Sequence, residues 1–261
     1  MKKLVIGLFA VVLAVSLSGC KDKPEEKSKY QVGDVVLCDG TICRGYDKLF
    51  SMSEEEILKA SAIIYKVDGK KAYGVLIPTI DGDIEWCKID TNLYSVFIDA
   101  FQCNVTEQNG NYSFEGDVDG SDNTEQLTEF CSDNNIEDDS TNLLNGYLIR
   151  LIFLYPLQIA ANLSDGGLFE NATDALNEYK WIFEDWYLPS ISELYDIYKQ
   201  KTLIYNIRRM LGYSEPDNSD MWSASTNQDH PTCAACINFE DGKLHWIDKA
   251  QKCQAFAIRV F

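Results

Sequence analysis

Residues 189–261 limit the fold of this chain more than any other stretch. Pro189 precedes Ser190, and Glu193 follows three positions on, which is a capping-box pattern. Ile191, Leu194, Tyr195 and Tyr198 then recur at helical spacing, Ile204, Ile207 and Leu211 continue the pattern, and Gly212 is a natural helix stop. Short strand-like runs follow: Met221 to Ser225, Ala234 to Phe239, Leu244 to Ile247 and Ala255 to Phe261. The middle two flank Asp241-Gly242, a hairpin turn signal. Strand follows strand at the end while helices cluster in the middle. That order predicts an α+β protein rather than a βαβ alternation.

The first half adds further strands. Asp34 to Ile42 alternates around Asp39-Gly40, and Ala62 to Val67 and Ala72 to Pro78 are joined around Asp68-Gly69. Ser53 and Glu56 form another capping box, which predicts a short helix running to about Ala62. With 46% hydrophobic residues, the chain can bury a real core and is not a disordered surface protein. Residues 89–149 differ: they hold 13 Asp and Glu and no Lys, Arg or His. They read as a long acidic insertion of loops, with helical pieces at Thr124 to Phe130 and Ser140 to Leu151. A further helix is expected over Asn171 to Phe183. No fixed-period repeat is present.

At the N-terminus, Lys2 and Lys3 precede an uncharged run, with an apolar core from Leu4 to Val15. Such a run reads as a secretory signal rather than a membrane span. Leu17-Ser18-Gly19-Cys20 resembles the bacterial lipobox. That resemblance implies removal of residues 1–19 and acylation of Cys20, anchoring the protein in a membrane by more than one acyl chain. The alternative is an ordinary signal peptide that contains a Cys. Residues 20–29 read as the lipidated cysteine and a polar tether, with the folded domain spanning 30–261. The expected address is the bacterial cell envelope, at the outer membrane or cell surface. The full chain carries a net charge of −18, which excludes nucleic acid as a natural partner.

Four segments carry a family resemblance. Trp186-Tyr187-Leu188-Pro189-Ser190 with Glu193-Leu194 looks like a W-x-L-P-[ST]-x-x-E-L signature. Trp222-Ser223-Ala224-Ser225 resembles a W-S-S strand. Ile237-Asn238-Phe239 with Gly242 resembles a V-N-F-x-x-G hairpin, and Ala257-Ile258-Arg259-Val260-Phe261 a terminal V-R-x-V-R-x-F strand. Together they are similar to the Lcl C-terminal domain family, named for a bacterial collagen-like adhesin. Phe114 to Asn123 also resembles an F-x-G-D-x-D-G-S-D-N stretch of spirochaete lipoproteins of this kind. The resemblance implies a C-type-lectin-like fold in which the first and last strands come together. In it Trp186, Leu188, Pro189, Glu193, Trp222, Phe239, Gly242 and Arg259 keep the fold. It supplies no general activity, although adhesion is attributed to some members.

Candidate chemistry is sparse. Asp117, Asp119, Asp122 and Asn123 alternate oxygen-bearing side chains around Gly120 and form a candidate calcium site, off the EF-hand spacing. A solvated turn is the competing reading. Glu215-Pro216-Asp217 resembles a lectin sugar triplet without its companion W-N-D, and reads as a loop turn. Cys38, Cys43, Cys87, Cys103, Cys131, Cys233, Cys236 and Cys253 are an even set in an exported chain, hence candidate disulfide cysteines. Cys233 and Cys236 with His230, His245 and Cys253 are a weaker zinc candidate. The resulting expectation is a non-enzymatic, lipid-anchored surface protein that presents a lectin-like adhesion module to a host or cell-surface protein or glycan. Its contact surface is placed on the acidic insertion and residues 213–232, with Trp222 at the border. The alternatives are an extracytoplasmic enzyme of the formylglycine-generating type and a purely structural envelope lipoprotein.

Overall fold

A computed structural model describes residues 27–77, 84–87, 94–95, 97–133, 164, 173–174, 178, 185–216 and 219–261. The signal segment, Cys20, and the helices expected at Ser140 to Leu151 and, but for three positions, Asn171 to Phe183 lie outside them.

Helices and strands mix as the α+β reading expects. One antiparallel sheet is built from β1 (Val35–Leu37), β2 (Ile42–Cys43), β3 (Ala60–Asp68), β4 (Lys71–Leu76) and the last strand, β12 (Ile258–Val260), in the order β12-β4-β3-β1-β2. A second sheet has the order β10-β9-β8-β11-β5. Its strands are β5 (Ile84–Glu85), β8 (Asp220–Trp222), β9 (Cys233–Asn238), β10 (Leu244–Asp248) and β11 (Lys252–Ala255), and only β11 and β8 run parallel. The remaining hairpin joins β6 (Cys103–Gln108) to β7 (Asn111–Gly116).

Both faces of the first sheet are covered. On β3, Ala62 and Ile64 point into a core with Trp86, Leu188 and Trp222. Their neighbours Ile63 and Tyr65 point the other way, into a core with the helices α4 (Ile191–Lys199) and α5 (Lys201–Met210). Side chains alternate along a strand, so a strand buried on both faces must be apolar at nearly every position. That explains the continuous run Ala62-Ile63-Ile64-Tyr65. Between the two helices, Gln200 N–H bonds Ile197 O at 2.9 Å, a tight turn that ends α4 and lets α5 start at a new angle. Arg208 is buried on α5 and forks its guanidinium onto the carbonyl oxygens of Ile77 and Ser214. Tyr213 N–H bonds Arg208 O at 2.9 Å, and Gly212 takes φ +80°, closing the helix.

The structure corrects several expectations. A short helix, α1 (Tyr46–Phe50), comes before Ser53, and the helix after Ser53, α2 (Glu54–Leu58), is properly capped but stops four residues early, because Ala60 is already taken into β3. The terminal strand is two strands, β11 and β12, which belong to different sheets and part at Phe256-Ala257. The first and last strands share a sheet but are not neighbours, because β12 pairs with β4. The acidic insertion holds the regular hairpin β6–β7 besides its expected helix, α3 (Asn123–Asp133). The end of the tether is already part of the body: Ser28 N–H bonds Gly69 O at 3.2 Å and Arg44 bonds Lys29 O at 2.9 Å.

Candidate functional site

The helix α4 begins as the sequence pattern expects. Ser190 Oγ accepts the Glu193 N–H, and the Glu193 carboxylate returns to the Ser190 N–H at 3.0 Å. Capping boxes commonly sit at the surface, but this one does not, since Glu193 is only 5% exposed. A buried carboxylate needs donors on its remaining lone pairs. Gly120 N–H supplies one at 3.0 Å to Oε2, and the Tyr187 hydroxyl supplies another at 2.8 Å to Oε1. Burial still raises the Glu193 pKa, with the three donors pulling against it. The Tyr187 hydroxyl pKa is raised by burial and by the Glu193 charge, so it stays a donor.

Gly120 approaches so closely that a Cβ there would lie 2.5 Å from Leu188 O and 2.9 Å from Ser190 N. Nothing but glycine lets the 114–123 loop dock on the Leu188-Pro189-Ser190 corner. The same corner holds the other segments. Ala224 N–H bonds Pro189 O at 2.8 Å and Ile191 N–H bonds Ser225 Oγ at 2.9 Å. Tyr187 and Ile258 exchange two backbone bonds of 2.9 Å. The residues expected to keep the fold are buried, some at this junction and some beyond it. Trp222 donates its indole N–H to Ile84 O at 2.6 Å, and Phe239 packs edge-on against Tyr198 at 5.6 Å. Gly242, at φ +77°, leaves room for the Tyr198 ring, and Arg259 lies 5.3 Å from the Phe261 ring centre and 3.8 Å from Asp185. Trp222 is completely buried, so it cannot border a contact surface as expected.

The four candidate calcium ligands lie beside this junction but do not point at one spot. Asp119 Oδ1 caps Ser121 N–H at 3.0 Å, and Asp122 Oδ2 accepts from Gln126 at 2.7 Å. Asp117 and Asn123 face each other: the Asn123 amide rests against the Asp117 carboxyl without a well-formed hydrogen bond. Burial, then Glu193 and Asp122, push the Asp117 pKa up to about 7. Among the described residues no three His, Cys, Asp or Glu side chains gather as a metal-ligand group. Sequence reasoning missed Gln126 as the partner of Asp122, although positions four apart fall on one helix face. It also missed Tyr187 as the partner of Glu193.

Of the candidate disulfide cysteines, Cys103 lies near Asp117. Cys38, Cys43, Cys103, Cys233, Cys236 and Cys253 are thiols here. Cys38 and Cys43 flank one turn yet face opposite cores, and Cys233 and Cys236, three apart on β9, point to opposite sides of their strand. Cys236 and Cys253 do meet, thiol to thiol, inside the core. Burial raises the Cys38 pKa to about 12 and that of Cys103 to about 11. The zinc candidate is dispersed as well: His245 pairs with Asp220 at 2.9 Å, while His230 stacks on Trp246 at 5.8 Å. Glu215 of the sugar-like triplet pairs with Arg209. Cys87 is buried next to Lys249, whose carbonyl takes its N–H at 3.1 Å; Lys249 itself is fully buried, with its ammonium 2.8 Å from Pro231 O and 5.0 Å from the Trp86 ring centre. No protein-family model matches the chain, and no curated protein matches it.

Proposed function

We propose that this chain is a lipid-anchored protein of the bacterial cell envelope that presents a C-type-lectin-like binding or adhesion module and is not an enzyme. The observation that carries this reading is the junction at Leu188-Pro189-Ser190. Three of the four segments that resemble the Lcl C-terminal domain family, and the 114–123 loop with them, are held together there, through Gly120 to Glu193, Pro189 to Ala224 and Tyr187 to Ile258. Leu17-Ser18-Gly19-Cys20 supports the anchor. Ser28, which the body holds through Gly69 O, follows Cys20 by eight positions of sequence, a reach of at most about 28 Å of chain. The thiol-enzyme alternative draws no support from Cys38, Cys103 or Cys236, whose pKa values burial raises, because a protonated thiol is a poor nucleophile.

Two measurements test the reading. Metabolic labelling with a tagged palmitate should mark the wild-type protein and not Cys20→Ala; labelling of neither would remove the anchor. Screening the mature protein against immobilised glycans and extracellular-matrix proteins should give saturable binding. Retention of the label without any saturable ligand would favour a purely structural envelope lipoprotein.

A further inference from the structure

Four large apolar side chains stand exposed among the described residues: Val32 at 46%, Tyr46 at 53%, Phe50 at 74% and Val118 at 44%. A single exposed apolar residue is ordinary, whereas a contiguous patch marks a docking surface. Three of these four are contiguous. Tyr46 and Phe50, one turn apart on α1, wall an open groove of about 550 Å³ with Arg209 and Met210 of α5. Tyr46 and Val32 wall a second groove of about 210 Å³ with Arg44 and Leu203. Tyr46 belongs to both grooves, so they form one face, with Leu203 and Met210 half-buried in it.

The tether joins the body at the rim of this face. Arg44, on the wall of the second groove, bonds Lys29 O at 2.9 Å, and Val32 follows Lys29 by three positions. Cys20 precedes Lys29 by nine positions, a reach of at most about 32 Å of chain. A leaflet that holds the Cys20 acyl chains therefore pulls on the body beside its apolar face. The charges there fit phosphate headgroups. Arg44 and Arg209 line the grooves, and the acid that lines them, Asp34, is 1% exposed and already bonded to Arg44. Glu215 answers Arg209 and Asp47 stands on α1. The rim is thus close to neutral in a chain of net charge −18, which favours zwitterionic over strongly anionic lipid.

We infer that the face formed by Val32, Tyr46, Phe50, Leu203 and Met210 rests on the phospholipid leaflet that carries the anchor; this rests on the acylation of Cys20 proposed above. Phe50 and Tyr46 enter the boundary between headgroups and acyl chains, where an aromatic ring is sheltered and a tyrosine hydroxyl still meets water. Arg44 and Arg209 lay their stems along the apolar face and keep their guanidinium groups at the level of the phosphates. An acyl anchor alone lets a body tumble at the end of its tether. A second contact beside the point of attachment fixes its orientation. The docked face is closed to other ligands, so any adhesion ligand must bind elsewhere on the body.

The experiment places the protein, produced with its signal in a bacterial host, in phosphatidylcholine vesicles that carry a diazirine on one acyl chain. Irradiation is followed by mapping of the labelled peptides by mass. Besides the tether, labels should fall on residues 44–50 and 203–210. Phe50→Asp should lower them by about fivefold or more. Val118→Asp, at the fourth exposed apolar residue, should leave them unchanged, and both variants should keep the wild-type Tm because both positions are exposed. Labels scattered over the body, or undiminished in Phe50→Asp, would overturn the docking. So would unlabelled grooves together with a dimer that Phe50→Asp dissociates, which would assign the face to a second copy of the chain. The mass of the N-terminal peptide reads the anchor separately. Acylated Cys20 without labels at 44–50 and 203–210 would overturn the face and keep the anchor. Labels there on a protein whose Cys20 is bare would support the lipid face and remove the anchor.

Discussion

Gly120 donates its backbone N–H to Glu193 Oε2 at 3.0 Å across 73 residues of sequence. The bond turns an ordinary helix cap into a tertiary joint. Glu193 still closes the capping box with Ser190, but its second duty fixes where the acidic loop sits. The glycine is required because its missing Cβ is the gap that Leu188 O and Ser190 N fill.

Replacing Glu193 with Ala should be among the most damaging single changes in the protein. It strips partners from Gly120 N–H, Ser190 N–H and the Tyr187 hydroxyl together. Each orphaned buried group costs about 1–3 kcal/mol. A loss well above the ~1 kcal/mol of a cap alone is expected for Glu193→Ala, against about that value for Ser190→Ala. Denaturant unfolding of both variants checks the ratio; equal losses would mean that the tertiary joint contributes nothing.

Gly120→Ala should weaken the same joint from the other side. The added methyl meets backbone atoms at 2.5 and 2.9 Å, which cannot swing away as a side chain could. Overpacking of this kind costs about 1–3 kcal/mol. Hydrogen exchange should show faster opening of residues 114–123 in the variant, while β9 and β10 keep their protection.

Stability should depend on pH through Asp117. Its folded pKa lies near 7, above the ordinary carboxylate value, so the folded state binds a proton that the unfolded state gives up. The contribution is fully present below about pH 4 and is lost as pH rises through about 7. Glu193, also raised, acts in the same direction. Chelated wild-type protein should therefore lose Tm between pH 5 and 8 more steeply than Asp117→Asn. Identical slopes would remove Asp117 as the titrating group.

Arg208→Lys should not rescue Arg208→Ala. The guanidinium serves Ile77 O and Ser214 O at once from a buried site, and an ammonium lacks that fork. Both variants should lose about 2–4 kcal/mol in chemical unfolding. Recovery of most of the stability with Lys would show that charge, not geometry, matters there.

Alkylation of the native protein, mapped by peptide mass, should label Cys233 before Cys38, Cys43, Cys103, Cys236 or Cys253, since Cys233 alone of these is half-exposed. Two residues found 2 Da lighter as a pair would instead reveal a disulfide, and Cys236 with Cys253 would be the pair to expect because their thiols already touch.

Much of the local structure was legible. Both capping boxes, the Asp39-Gly40, Asp68-Gly69 and Asp241-Gly242 turns and the Gly212 stop all rest on interactions within a few residues, and all appear. The hairpin β6–β7 was legible too, since Asn109-Gly110 stands between alternating runs and both residues take positive φ. The acidic composition around it hid the signal. The split of the terminal strand was not legible, because nothing local in Ala255-Phe256-Ala257 says that β11 will follow β8 and β12 will follow β4.

The sequence by itself determined the class, the caps and the turns, because propensity and periodicity act over one or two turns of chain. Only the tertiary structure decided that Glu193 would be shared with Gly120, that Trp222 would be interior, and that Asp119 would be spent while Gln126 was left with an unmet oxygen. Those outcomes depend on which distant backbone donors arrive within 3 Å, and that distance is set by the packing of two sheets against α4 and α5 rather than by any neighbour in sequence.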